Sequence, residues 1–213
     1  MQISFNKVVP SYLEKEKVNS SQVWGNDFLL EKGKYFQVIA PSGRGKSSLT
    51  HFIYGLRKDY DGEISIAGVN VKKSDAENLS LLRQQTVSII FQDLRLFNDH
   101  TVEQNLLVKK ELLPYQNASS ISEMTSRLGI QNKLHQKAGL CSYGEQQRVS
   151  IIRALLQPFD FLVMDEPFSH LDIDNRHRAL ELILEEAGKR NAGILLLDLQ
   201  ENDHFKNSVK IQL

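Results

Sequence analysis

Short, largely apolar runs punctuate the chain. They cover residues 35–40, 86–91, 161–164 and 194–197, and the last two run straight into an aspartate. Runs that are continuous rather than alternating mark strands covered on both faces, as in a parallel α/β sheet. Residues 62–68 instead alternate with period two between glycines, which predicts a strand of a small antiparallel sheet. Met1–Lys7 also reads as a strand, and Ser208–Leu213 alternates as a terminal edge strand would. Residues 46–57 suit a helix, 101–157 are helical in pattern without a strand, and 174–190 form a charged helix. No repeat, low-complexity tract or long linker interrupts this. The expected fold is therefore α/β: one domain over 1–213, with a core sheet, a small antiparallel β subdomain and an α-helical insertion at about 93–157.

The turn after the first of these runs carries chemistry. Ala40-Pro41-Ser42-Gly43-Arg44-Gly45-Lys46-Ser47 follows a predicted strand and opens a predicted helix. It matches the phosphate-loop pattern G-x-x-x-x-G-K-[ST] except that Ala40 replaces the first glycine. Gly43 and Gly45 let backbone N–H groups turn inward around phosphate oxygens, and the following helix N-terminus adds partial positive charge. Lys46 is then expected to reach the β- and γ-phosphates, and the Ser47 hydroxyl to ligate Mg²⁺. The Ser42–Ser48 backbone, including Arg44 and Ser48, completes the expected cradle. A glycine-rich strand–helix turn with a chance lysine is the plain alternative. The motif points to a nucleoside triphosphate and does not say which machine uses it.

Phe161-Leu162-Val163-Met164-Asp165-Glu166 ends a strand in two acids. Taken alone this is also how a buried strand emerges into a polar loop. After a phosphate loop, Asp165 is expected to hold Mg²⁺ through water and Glu166 to polarise an attacking water.

Composition removes some classes. Lys+Arg and Asp+Glu are both 26, so no basic excess advertises a nucleic-acid partner. Cys141 is the only cysteine and can form no intrachain disulfide, which favours a reducing, cytoplasmic setting. No apolar run approaches the roughly 18–20 residues that span a bilayer, and the N-terminus does not read as a leader.

Cys141-Ser142-Tyr143-Gly144-Glu145-Gln146-Gln147-Arg148-Val149 resembles the signature segment of ABC ATPases, normally L-S-G-G-Q-Q-Q-R-V. By residue type alone, Ser142 with Glu145 three positions on is also a capping box at a helix start. Other family segments follow in the family's order. Ile90-Phe91-Gln92-Asp93 resembles the Q-loop, Asp165-Glu166-Pro167 the Walker B segment and Ser169-His170-Leu171-Asp172 the D-loop. The resemblance runs from the strand before Ala40 to Leu199. Ile90–Asn105 is similar to the short ATPases of the lipoprotein-release, macrolide-export and cell-division group, whose membrane subunits transmit force.

The resemblance implies a P-loop NTPase (RecA-like) core and an ATP-binding subunit of an ABC transporter, with ATP and Mg²⁺ as cofactors. Catalysis would fall to Glu166, Gln92 and Lys46, and Mg²⁺ would be held by Ser47, Gln92 and Asp165. Ser142 and Gly144 of one subunit would close over the γ-phosphate bound by another, in a head-to-tail dimer of like chains. Gln92 would couple to a transmembrane permease subunit from the inner face of the cell membrane. An adenine-stacking aromatic is expected upstream of the phosphate loop; Tyr12 is the candidate and Trp24 the alternative.

Several positions depart from the pattern. Cys141, Tyr143 and Glu145 differ from the commonest signature residues. At the position of the family's switch histidine stands Leu199, which cannot donate a hydrogen bond to a γ-phosphate. Gln200 could substitute; His204 lies further on, and His170 belongs to the D-loop. Two other function classes remain open on these residues. One is a soluble ABC machine acting on nucleic acid or ribosomes, which would usually carry two cassettes or basic extensions. The other is a mainly nucleotide-binding regulatory module, which Leu199 motivates and the intact Lys46, Ser47, Asp165 and Glu166 oppose.

Overall fold

A computed structural model describes residues 1–113, 117, 119–202, 205 and 207–213. The chain begins with β1 (Gln2–Pro10), a short exposed α1 (Lys15–Asn19) and β2 (Phe28–Glu31). β3 (Tyr35–Ile39) runs through a glycine turn into α2 (Lys46–Ile53). Next come β4 (Tyr60–Ile66), β5 (Val69–Asn70), α3 (Ala76–Gln85) and β6 (Val87–Ile90). The helical stretch contains α4 (Val102–Lys110), α5 (Ser120–Arg127) and α6 (Tyr143–Leu155). β7 (Phe161–Asp165), α7 (Ile173–Arg190), β8 (Gly193–Asp198) and β9 (Val209–Gln212) follow.

The strands form two sheets. One has the order β2-β1-β4-β5 and is antiparallel; the other has the order β6-β7-β8-β3-β9 and is parallel throughout. β7 and β8 show why the sequence runs are continuous. Leu162, Met164, Ile194 and Leu196 face a core shared with α4, α6 and α7. Phe161, Val163, Leu195 and Leu197 face a second core, shared with α2 and the antiparallel sheet. Both faces of the strands are covered, so neither can be polar.

The expected α/β fold, with a parallel sheet and a smaller antiparallel one, is present, with local corrections. The helix predicted for 46–57 stops at Ile53, because Gly55 turns the chain with φ +68. The strand predicted for 62–68 is β4, which begins earlier, at Tyr60. It ends at a two-residue turn in which Ala67 and Gly68 both have positive φ, as a tight hairpin requires. The short β2, β5 and α1 and the polar α3 lack a strong period and were not predicted. Among the described residues β9 pairs only with β3, and it is the edge strand expected from the C-terminal alternation. His204 lies outside the described residues.

Candidate nucleotide site

A parallel sheet brings the C-terminal ends of its strands to one edge, and the loops after them form the crevice there. Here those loops carry residues 40–45 after β3, Gln92 after β6, Glu166 after β7 and Leu199 after β8.

The loop after β3 is shaped by its glycines. Gly43 and Gly45 have φ +79 and +98, conformations that a side chain resists. A Cβ on Gly45 would also stand 3.2 Å from the indole of Trp24. That indole is 1% exposed, packs edge-on against Phe52 and donates from Nε1 to the Arg44 carbonyl at 3.1 Å. Trp24 is therefore a buttress under the loop and offers no stacking face, which corrects its candidacy for a base. Tyr12 is 50% exposed and lines the cavity; its hydroxyl donates to Ser48 Oγ.

The cavity above the loop measures about 390 Å³ and is lined by Tyr12, Ser42, Gly43, Gly45, Ser47 and Ser48, with Lys46, Arg57, Gln92 and Glu166. Arg44 does not line it. Its side chain turns away to Ser20 Oγ at 2.9 Å, leaving only its backbone to the loop. Arg57 was not singled out in the sequence, where nothing distinguishes it from a solvated cation. Its guanidinium lies 4.9 Å from the Tyr12 ring centre and also pairs with Asp59.

The polar groups converge. Lys46 is 6% exposed; its Nζ donates to the Ala40 carbonyl at 2.6 Å and lies 3.4 Å from Glu166 Oε1. Gln92 Nε2 donates to Glu166 Oε2 at 3.3 Å, and Ser47 Oγ lies 3.4 Å from Gln92 Oε1. Asp165 is 2% exposed, and its Oδ1 is buried without a hydrogen-bond partner. Burial pushes its carboxyl up to about 6; a hydrogen bond from Ser47 opposes this and the charge of Glu166 reinforces it. Glu166 itself has φ +48, a strained conformation for a non-glycine residue.

Ser142 and Gly144 do not join this cavity. Ser142 caps α6 in the capping box read from the sequence: Oγ accepts from the Glu145 N–H at 3.3 Å, and Glu145 Oε2 accepts from the Ser142 N–H at 2.8 Å. A Cβ on Gly144 would come within 2.9 Å of the His170 carbonyl, so a glycine is needed where α6 meets the loop after β7. Gln147 ties the two together and was not singled out as a site residue. It is 1% exposed, donates to the Glu166 carbonyl and Ser169 Oγ at 3.3 Å, and accepts from the His170 N–H at 3.0 Å. Its signal was helical phase, since it shares the buried stripe of α6 with Ile151 and Leu155. Leu199 is 45% exposed and lines a separate cavity of about 250 Å³ with Glu166, Arg176, Asp198 and Gln200.

The fold and this edge define an ATP-binding cassette. The sequence model of the family described as ABC transporter matches residues 25–169, and the chain belongs to that family. The chain is 34% identical to the aliphatic sulfonates import ATP-binding protein SsuB of Bacillus cereus, over 99% of this chain and 81% of the relative. It is 31% identical to the lipoprotein-releasing system ATP-binding protein LolD of Legionella pneumophila, over 81% of this chain and 78% of the relative. It is also 31% identical to the macrolide export ATP-binding/permease protein MacB of Hyphomonas neptunium, but spans only 27% of that protein's length. The relatives thus include the lipoprotein-release and macrolide-export group that residues 90–105 resemble, together with an importer component. The dimeric structure of the bacterial ABC transporter cassette MJ0796 superposes with a TM-score of 0.84 over 99% of this chain and 94% of that one; at 20% identity this likeness concerns the fold.

Among the described residues, no helix is long and apolar enough to cross a membrane.

Proposed function

We propose that the chain binds Mg-ATP at the cavity over residues 40–48 and hydrolyses it as one half of a head-to-tail pair of cassettes that drives a membrane-embedded permease subunit from the cytoplasmic face. The observation that carries this reading is the convergence of Lys46, Ser47, Gln92, Asp165 and Glu166 from three separate strand ends. The family membership and the relatives' printed roles as ATP-binding components support it.

The donor set fits Mg²⁺. The Ser47 hydroxyl, the Gln92 carbonyl and the orphaned Asp165 Oδ1 are hard oxygen donors close together. Among the described residues, no group of three or more His, Cys, Asp or Glu could hold a metal by itself. Phosphate and water oxygens would therefore complete the shell, as Mg²⁺ prefers. When bound, the ion would neutralise phosphate charge and hold the buried Asp165 ionised.

The backbone N–H groups of Ser42–Ser48 would cradle the phosphates, while the Tyr12 ring, backed by Arg57, would receive the base. Lys46 now leans on the Ala40 carbonyl and Glu166. A γ-phosphate is a stronger partner for an ammonium, so its arrival would draw Lys46 away and free the Glu166 carboxylate to take a proton from water. Ser142 and Gly144 lie outside the cavity, which suits a role at the nucleotide of a second copy. Steady-state Mg-ATP hydrolysis with Glu166→Gln as control tests the proposal. Turnover that vanishes in the variant is the expected result; undiminished turnover would refute the role of Glu166.

Leu199 favours a second reading, a mainly nucleotide-binding module. An exposed leucine beside Glu166 supplies no donor to a transferring phosphoryl group, so hydrolysis would be slow. Tight ATP binding with no turnover in the wild type, even with a permease present, would favour it.

A further inference from the structure

The Gln92 side chain can serve the site only if the loop that carries it is held. That loop is strained, since Leu94 and Arg95 have φ +59 and +51 in succession. Its main-chain carbonyls are gripped by one helix. From the far end of α6, Arg153 donates to the Leu94 and Arg95 carbonyls at 2.6 and 2.8 Å. From the first residue of α6, the Tyr143 hydroxyl donates to the Gln92 carbonyl at 3.3 Å. The Tyr143 ring meets the His170 ring edge-on, with centroids 4.3 Å apart. Tyr143 also lines a cavity of about 410 Å³ with Ser47, Gln92 and Asp165. It stands where the signature pattern has a glycine, so this link belongs to the chain's own sequence.

We propose that Tyr143 is a positioning residue: through its hydroxyl it fixes the main chain at Gln92, and so aims the Gln92 side-chain oxygen Oε1 at the Ser47 side of the metal site within the same chain. The inference rests on the proposed use of Ser47, Gln92 and Asp165 toward Mg²⁺. The helix start that would face a second copy's nucleotide is thereby joined to the metal side of its own. A shift of α6 would carry Gln92 with it, whereas a glycine at 143 would leave the two independent.

The test is Tyr143→Phe, which keeps the ring against His170 and removes only the hydroxyl. ATP binding is measured by calorimetry, first with EDTA and then across a Mg²⁺ titration. The expected result is unchanged metal-free ATP affinity and a melting temperature within about 1 °C of wild type. The Mg²⁺ concentration for half-maximal enhancement should rise about three- to tenfold, the range of one hydrogen bond. In a Gln92→Ala background the same substitution should have no further effect, because the group it positions is gone. A Mg²⁺ dependence equal to wild type, or an effect that persists without the Gln92 side chain, overturns the proposal. A lowered melting temperature without a Mg²⁺ shift would show a packing role and also overturns it. Wild-type protein that fails to bind ATP at all would refute the proposed function itself, whereas binding with an unchanged Mg²⁺ response refutes only the role of Tyr143.

Discussion

Gln147→Leu is the most informative single perturbation of this cassette. The replacement has nearly the same volume and suits an apolar helix stripe, so packing loss is small. What disappears is a set of three hydrogen bonds: two donated at 3.3 Å to the Glu166 carbonyl and Ser169 Oγ, and one accepted at 3.0 Å from the His170 N–H. Each is worth about 0.5–1.5 kcal/mol net. Ser169 and His170 are exposed and can turn to water, and leucine gains transfer energy, so the expected loss is about 2 kcal/mol. For a domain of this size that lowers the melting temperature by about 4–8 °C. The bonds also hold the segment that carries Glu166 in its strained conformation. Hydrolysis should therefore fall by about tenfold or more while ATP affinity changes little, a loss confined to the reacting state. Thermal unfolding followed by circular dichroism, beside steady-state kinetics, measures both. A melting temperature within about 1 °C of wild type, with normal kcat, would refute the claim that Gln147 couples α6 to the base.

Gly45→Ala should abolish ATP binding as measured by calorimetry, since φ +98 disfavours any side chain and the new methyl would press on Trp24 at 3.2 Å. Tyr12→Ala should weaken ATP affinity about three- to tenfold, the worth of one stacked ring, with little change in kcat. Leu199→His should raise kcat by about a hundredfold to a thousandfold if the missing donor limits the rate; an unchanged kcat would mean that another group supplies it.

Much of the candidate site was legible because its signals are local. Lys46 and Ser47 follow a strand and a glycine turn, the Asp165-Glu166 pair ends an apolar run, and Ser142 with Glu145 forms a cap; each signal lies within a few residues. The parallel sheet was legible too, because strands covered on both faces must be apolar throughout. β2 and β5 escaped notice because a strand of two to four residues carries too little periodicity. α3 escaped because its buried face reduces to Leu79.

Other properties arise only when distant segments meet. Trp24 reads as an aromatic upstream of the phosphate loop, and only packing against Phe52 and the Arg44 carbonyl turns it into a buttress. Arg57 is one cation among 26 basic residues until the turn after α2 sets it beside Tyr12. The grip of α6 on residues 92–95 joins positions about 50–60 apart in sequence, at main-chain carbonyls that every residue type possesses equally. Sequence therefore determined which groups could do chemistry and the sheet that carries them. Tertiary structure decided which of them touch, because contact depends on long-range packing that no local pattern encodes.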